Sequence, residues 1–228
     1  KRRDYFNKEF EIMKELSEHS LICTLNNFYK KKDLAVIEYV EGKTLKELIK
    51  NDNIPLNKKI DIIKQIIEVL SFVHKKGIIH GDIHANQFII KSDMSLKLID
   101  FGLSYYYNSN SNKQIIRRGG IHKYLEPENI TSNAFVNVIE YTPSLGSEVY
   151  RIGVLLYFII YESYPFESFS WNRLSKLIKT ENPNLKSCTS KGEVVPISVL
   201  NVMKKSLLKN PDMRYNSAKE INNELKSI

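Results

Sequence analysis

The sequence predicts an α+β chain in two segregated parts: a short opening that contains strands, then a longer, mainly helical body. Three observations predict it. Two strand-like runs joined by a lysine-rich turn fall within residues 21–39. Stretches with helical spacing of apolar side chains dominate from residue 58 to the end. Apolar residues make up 42% of the 228, enough to bury a sizeable core and too many for a disordered chain.

The elements follow in order. Residues 4–16 read as a helix, because Phe6, Phe10, Met13 and Leu16 recur every three or four residues with charges between them. Residues 21–29 and 32–39 read as strands, and Glu41-Gly42 breaks the second. Thr44-Leu45 starts a short helix. Residues 58–76 form a clear amphipathic helix, with Ile60, Ile63, Ile66, Ile67, Leu70 and Val73 on one face and Asn57 as N-cap. Gly77 after Lys75-Lys76 is its stop. Residues 78–79, 88–90 and 96–99 read as short strands, and Ser92-Asp93-Met94-Ser95 turns the last two into a hairpin. Residues 104–120 read as a polar loop, with a low-complexity patch at 108–112. Helices are expected from Glu148 to Pro165, then over 174–179, 196–208 and 217–228, with no internal repeat.

Composition excludes several classes. The net charge is +8, but the lysines are scattered rather than striped with aromatics. That reads as a solvated basic surface attractive to phosphate groups or an acidic peptide, not to nucleic acid. Cys23 and Cys188 lack metal-ligand spacing and are expected as free thiols in a reducing compartment, so a cytoplasmic location is expected. The longest apolar run, residues 152–161, falls short of the ~18 residues of a membrane span and reads as a buried helix. No signal peptide opens the chain. Its abrupt start at Lys1-Arg2-Arg3 reads as that of a piece cut from something longer.

Two runs carry chemistry: His80-Gly81-Asp82-Ile83-His84-Ala85-Asn86-Gln87 and Leu98-Ile99-Asp100-Phe101-Gly102. They place two aspartates on two loops, each beside a short apolar strand. Either alone would read as a turn residue satisfying backbone N–H groups. Together, one suits accepting a proton from a hydroxyl and the other holding a magnesium ion beside a triphosphate, which is the division of labour in phosphoryl transfer. Asp82 is the candidate base. Asp100 is the candidate metal ligand, since a hard cation takes carboxylate oxygen and Gly102 lets the backbone turn sharply around it.

The pair resembles the catalytic loop (HRDxxxxN) and the metal-binding DFG of protein kinases. The resemblance implies a protein kinase-like fold: a partial small β lobe over residues 1–41 and a mainly helical large lobe over residues 42–228. It implies ATP and Mg2+ as cofactors. Gln87 stands where the pattern has asparagine, and Asn86 lies one residue early. Their side chains point in different directions, so only one can ligate, and Gln87 is favoured because it carries the same amide oxygen on a longer stem. His84 takes the place of a phosphate-contacting lysine and becomes a second catalytic candidate. Gly81 replaces the arginine that pairs with a phosphorylated activation loop, so control by loop phosphorylation is not expected.

Further signatures extend the resemblance. Residues 9–16 look like the small-lobe helix of kinases, which places Glu9 as partner of the ATP-binding lysine. Ile37-Glu38-Tyr39-Val40-Glu41-Gly42 resembles the hinge, with Ile37 as gatekeeper and the Glu38 carbonyl and Val40 backbone bonding adenine. Tyr124-Leu125-Glu126-Pro127-Glu128 resembles YxAPE, and Asn210-Pro211-Asp212-Met213-Arg214 resembles NPxxR, so Glu128 and Arg214 are expected to form a buried pair. Glu148-Val149-Tyr150-Arg151-Ile152-Gly153 resembles DxWxxG with Glu148 for the aspartate. Tyr164-Pro165-Phe166 matches the PF that ends that region.

The glycine-rich loop and strand lysine of kinases are not visible. Both are expected in an upstream N-terminal segment of the same parent protein, so this piece alone is expected to be inactive. The implied function is transfer of the γ-phosphoryl of ATP to a serine or threonine of a protein or peptide substrate, tyrosine being less favoured. One alternative is a pseudokinase scaffold, motivated by Gly81, His84, Gln87 and Glu148. Another is a small-molecule phosphotransferase of the aminoglycoside or choline kinase type, which shares the HGD spelling but lacks the APE-like and NPxxR-like elements. HGD also occurs in the kinase domain of class III and IV lanthionine synthetases, which phosphorylate a precursor peptide.

Overall fold

Helix α3 (Leu56–Lys75) is the axis of the fold. Ile62, Ile63, Ile66, Ile67, Val69, Leu70 and Val73 along it are completely buried. Each such side chain stabilises by roughly 1.5–3 kcal/mol relative to an exposed one. The computed structural model describes residues 2–107, 115–117, 122–130, 138–140 and 144–226. Before α3 come α1 (Arg2–Leu16), β1 (Leu25–Tyr29), β2 (Leu34–Ile37), β3 (Lys43–Thr44) and α2 (Leu45–Asn51). After it come β4 (Ile78–Ile79), β5 (Phe88–Ile90), β6 (Leu96–Leu98), β7 (Tyr105–Tyr106), β8 (Ile115–Arg117) and β9 (Val138–Glu140). Four more helices follow: α4 (Leu145–Tyr161), α5 (Trp171–Thr180), α6 (Ile197–Ser206) and α7 (Ala218–Leu225).

Nearly all the buried apolar side chains from Phe10 to Leu225 form one continuous cluster. In α4 every residue from Ser147 to Ile160 is buried, so it lies at the centre of the helical body rather than on its surface. It packs on α3 and on α6. The α6 crossing is close: a β-carbon at Gly153 would lie 2.8 Å from the Ser206 β-carbon. The C-terminal helix α7 returns to pack on α3.

The expected α+β order holds, with local differences. The N-cap of α3 is Pro55, not Asn57, which sits inside the first turn. Proline has no side-chain acceptor to offer, and the Leu56 N–H donates instead to Glu193 Oε1 at 2.9 Å. Thr44 forms a capping box with Glu47 at the start of α2. Helix α4 begins three residues before Glu148, capped by Ser144. The loop expected at 104–120 contains strand β7, which pairs with β4, and β8, which pairs with β9. A two-residue strand leaves no periodic signal. The patch at 108–112 lies outside the described residues, as does Lys1.

The sheets position the site. Strands β5 and β6 form an antiparallel hairpin with Phe88 opposite Leu98, so Gln87 just before it faces Ile99 just after it; the Ile99 N–H donates to the Gln87 carbonyl at 2.9 Å. At the other ends, β4 pairs with β7, Ile79 opposite Tyr105. The Ser104 hydroxyl donates to the His80 carbonyl at 2.9 Å. The two motif loops are thus zipped together on both sides.

Candidate active site

Gln87 joins the two aspartates. Its Nε2 lies 3.2 Å from Asp82 Oδ2 and 3.5 Å from Asp100 Oδ2, so both carboxylates face one small volume. His84 closes it, with Nε2 3.5 Å from Asp82 Oδ2. The Asn86 backbone N–H donates to His84 Nδ1 at 3.2 Å, so the neutral ring carries its proton on Nε2, facing Asp82. Of the two amides left open by spacing, the structure brings Gln87 between the carboxylates. Asn86 takes part through its backbone.

Asp100 sits just beyond β6 with φ +64°, a left-handed conformation that aspartate tolerates better than most residues. Its Oδ1 accepts from the Gly102 N–H at 3.1 Å, which leaves Oδ2 for the shared volume. Burial tends to raise the Asp82 pKa, but the hydrogen bond from His84 and, further off, the charge of Arg151 hold it below the usual aspartate value. His80 is fully buried, and burial lowers its pKa and keeps the ring neutral, 5.0 Å from the Phe101 ring.

Glu9 reaches the same region from α1. A β-carbon on Gly102 would lie 3.2 Å from Asp100 Oδ1 and 3.7 Å from Glu9 Oε2. Burial, then the charge of Asp100, raises the Glu9 pKa. A cation beside it would reverse that.

The residues expected to form the hinge are placed by β6 rather than by the aspartates. Ile37 ends β2 and is 51% exposed. The Glu38 carboxylate accepts from Lys97 Nζ at 2.8 Å and from the Thr24 N–H at 3.0 Å, tying it to β6, the strand that leads to Asp100. The Glu38 carbonyl takes a weak contact from the Cys23 thiol at 3.5 Å. Val40 is half-buried just beyond. Sequence reasoning missed the roles of Cys23 and Lys97, which show only once β1, β2 and β6 are assembled.

Glu148 anchors the Asp82 loop from α4. Its Oε2 accepts from the Gly81 N–H at 2.8 Å, and its Oε1 accepts from the His80 N–H at 3.2 Å and from His74 Nε2 at 2.9 Å. His74 Nδ1 accepts from the Ala218 N–H at 3.0 Å, which fixes the ring proton on Nε2 and links α3, α4 and α7 at one buried point. Burial pushes the Glu148 pKa up, but the hydrogen bonds from His74 and the Gly81 N–H bring it below the usual range. A carboxyl depressed on folding adds stability above its unfolded pKa of about 4.3, lost as pH falls through the folded value. Glu148→Gln is therefore expected to flatten the dependence of stability on pH between about pH 5 and pH 3. Urea denaturation at stepped pH checks it, and a variant whose pH profile parallels the wild type contradicts it.

Arg214 and Glu128 meet as expected, but only the arginine is buried: its side chain is 0% exposed and that of Glu128 24%. Nη1 and Nη2 of Arg214 reach Glu128 Oε1 and Oε2 at 2.9 and 2.8 Å. The remaining guanidinium donors bond the carbonyls of Leu208, Gly146 and Lys209.

The donor set suits a hard divalent cation. Asp100 offers carboxylate oxygen, and a rotation of the Gln87 amide by 180° turns its oxygen to where Nε2 now sits. Among the described residues no group of three or more His, Cys, Asp and Glu is arranged to hold a metal. Magnesium is commonly held by one or two carboxylates together with substrate phosphates, and the arrangement fits that mode.

This chain belongs to the protein kinase family: the model of the protein kinase domain matches residues 1–225. It is similar to a probable serine/threonine-protein kinase of Clostridium acetobutylicum, 30% identical over 194 residues, covering 85% of this chain and 28% of that protein. It is also similar to the serine/threonine-protein kinase PrkC of Bacillus subtilis, 28% identical over 227 residues, covering 97% of this chain and 33% of the relative. A probable serine/threonine-protein kinase, PknB, of Lactococcus lactis is 29% identical over 220 residues, 95% of this chain and 33% of its own length. The chain thus spans about a third of the length of these curated relatives. No helix among the described residues is long and apolar enough to cross a membrane.

Proposed function

We propose that this chain carries the catalytic residues of a serine/threonine kinase, which transfers the γ-phosphoryl of ATP to a protein or peptide hydroxyl. The observation that carries the reading is the single amide of Gln87 within reach of both Asp82 and Asp100. Asp82, held ionised, accepts the proton of the attacking hydroxyl and orients it. The His84 Nε2–H faces the same carboxylate and the space where transferred charge would lie. Asp100 and Gln87 are the ligands for magnesium, which neutralises charge on the ATP phosphates. The names of the similar proteins support serine or threonine as acceptor.

In this reading the hinge at residues 37–42 separates a small-lobe part, residues 1–41, from the large lobe, residues 42–228. Adenine bonds the backbone of Glu38 and Val40 beside Ile37. Glu9 pairs with a lysine on an upstream segment of the parent protein, whose strands cover the exposed Tyr29, Leu34 and Val36. ATP supply places the domain in the cytoplasm. The Glu128–Arg214 contact counts against the small-molecule phosphotransferase reading, since that group lacks both elements.

Gln87→Ala in the full-length protein tests the metal assignment. The magnesium concentration for half-maximal activity is expected to rise about 10–100-fold, as for loss of a residue supporting a metal site. An unchanged magnesium titration would remove Gln87 from the site.

A further inference from the structure

Helix α4 holds the peptide of Gly81 at both ends. Glu148 accepts from its N–H, and Arg151, one turn further along the same helix, donates to its carbonyl through Nη1. The same guanidinium donates through Nε to Glu126, whose side chain is 1% exposed. The second oxygen of Glu126 takes Asn129 Nδ2 at 3.3 Å. One arginine from the central helix therefore bridges the loop that carries Asp82 and the segment that leads into Pro127-Glu128.

Position 81 itself cannot supply that cation. Gly81 has φ +82°, and a β-carbon there would lie 2.4 Å from the Leu103 carbonyl oxygen. The loop has exchanged a side chain for close backbone packing, and the guanidinium comes from α4 instead. Its partner is a carboxylate fixed in the sequence, at the position where the YxAPE pattern has alanine. Burying two opposite charges costs several kcal/mol per ion, and an apolar pair of similar volume is often as stable or more so. Stability alone gives no reason for the pair.

We propose that Arg151 and Glu126 form a permanent strut that positions Asp82 and makes activity independent of phosphorylation within residues 104–121. Both are positioning residues, and the proposal rests on the kinase reading above. In the full-length protein, the double variant Glu126→Leu/Arg151→Met replaces the pair by apolar side chains of similar size. It is expected to unfold near the wild-type temperature, to lose about 10–100-fold in kcat through misplacement of the Asp82 loop, and to keep its KM for ATP. Arg151→Lys keeps the charge but loses the fork that reaches two acceptors, and is expected to lose kcat likewise. Phosphatase treatment of the wild type is expected to leave kcat unchanged.

Wild-type kcat in folded forms of both variants overturns the strut. Failure of both to fold also overturns it, since the pair would then support the core rather than the loop. Loss of activity on phosphatase treatment overturns the independence from phosphorylation. An Asp82→Asn control separates the two readings: if the wild type transfers phosphate and this control does not, any such failure belongs to the strut alone. A wild type without phosphotransfer overturns both.

Discussion

Replacing Asp82 by asparagine is expected to lower kcat by about 10²–10⁴-fold with little change in unfolding temperature or in KM for ATP. Asparagine keeps the shape of the side chain and a carbonyl oxygen that still accepts from Gln87 and His84, so the loop stays in place. What it loses is the capacity to take a proton. Asp100→Asn is a useful companion, because it removes charge from the metal ligand rather than from the base. It is expected to raise the magnesium requirement first. Steady-state kinetics on the full-length protein separates the two effects, and Asp82→Asn with wild-type kcat would remove the base from the mechanism.

The second large effect lies away from the chemistry. Arg214→Ala is expected to destabilise the fold by about 3–5 kcal/mol, mainly because the carbonyls of Leu208, Gly146 and Lys209 lose their buried donor, at roughly 1–3 kcal/mol for each polar group left unpaired, while Glu128 can turn to solvent. Arg214 has no exposed side-chain surface and holds five acceptors, among them both oxygens of Glu128 and the carbonyls of Leu208, Gly146 and Lys209. Its guanidinium also lies 4.9 Å from the centre of the Tyr150 ring. For a domain of this size each kcal/mol moves the unfolding midpoint by roughly 2–4 °C, so a fall of about 6–20 °C is expected. Lysine is not expected to rescue it, because a point charge cannot reproduce the fork. Thermal denaturation of the full-length protein followed by circular dichroism measures the change. A midpoint within 2 °C of wild type, about one kcal/mol at most, contradicts the account.

The order of elements was legible because periodicity is local. The spacing of isoleucines along α3, the turn after Gly77 and the β5–β6 hairpin are each written within a dozen or two consecutive residues. The site was legible for a related reason: the hairpin register alone places residue 87 beside residue 99, so Gln87 and Asp100 meet without help from the rest of the chain. Spacing could not say which amide of 86 and 87 points inward, because that depends on the short turn Ala85–Gln87 and on His84 binding the Asn86 N–H. The pairing of β4 with β7 was hidden because two residues carry no period. The bridge from Arg151 to Glu126 and Gly81 was hidden because it spans three separate segments. Two opposite charges, one inside the mainly apolar helix that also carries Glu148 and one beside Pro127, were the trace of it in the sequence. The chain belongs to a family whose patterns it departs from at 81, 87, 126 and 148, and the structure gives each of these residues specific partners in the site.

One measurement tests the central claim most directly: a single-turnover reaction of the full-length protein with γ-labelled ATP, magnesium and a serine- and threonine-containing protein acceptor. The account predicts label on serine or threonine, abolished by omitting magnesium and by Asp82→Asn. Nucleotide bound with no label transferred to any hydroxyl, or label transferred equally by Asp82→Asn, would contradict it.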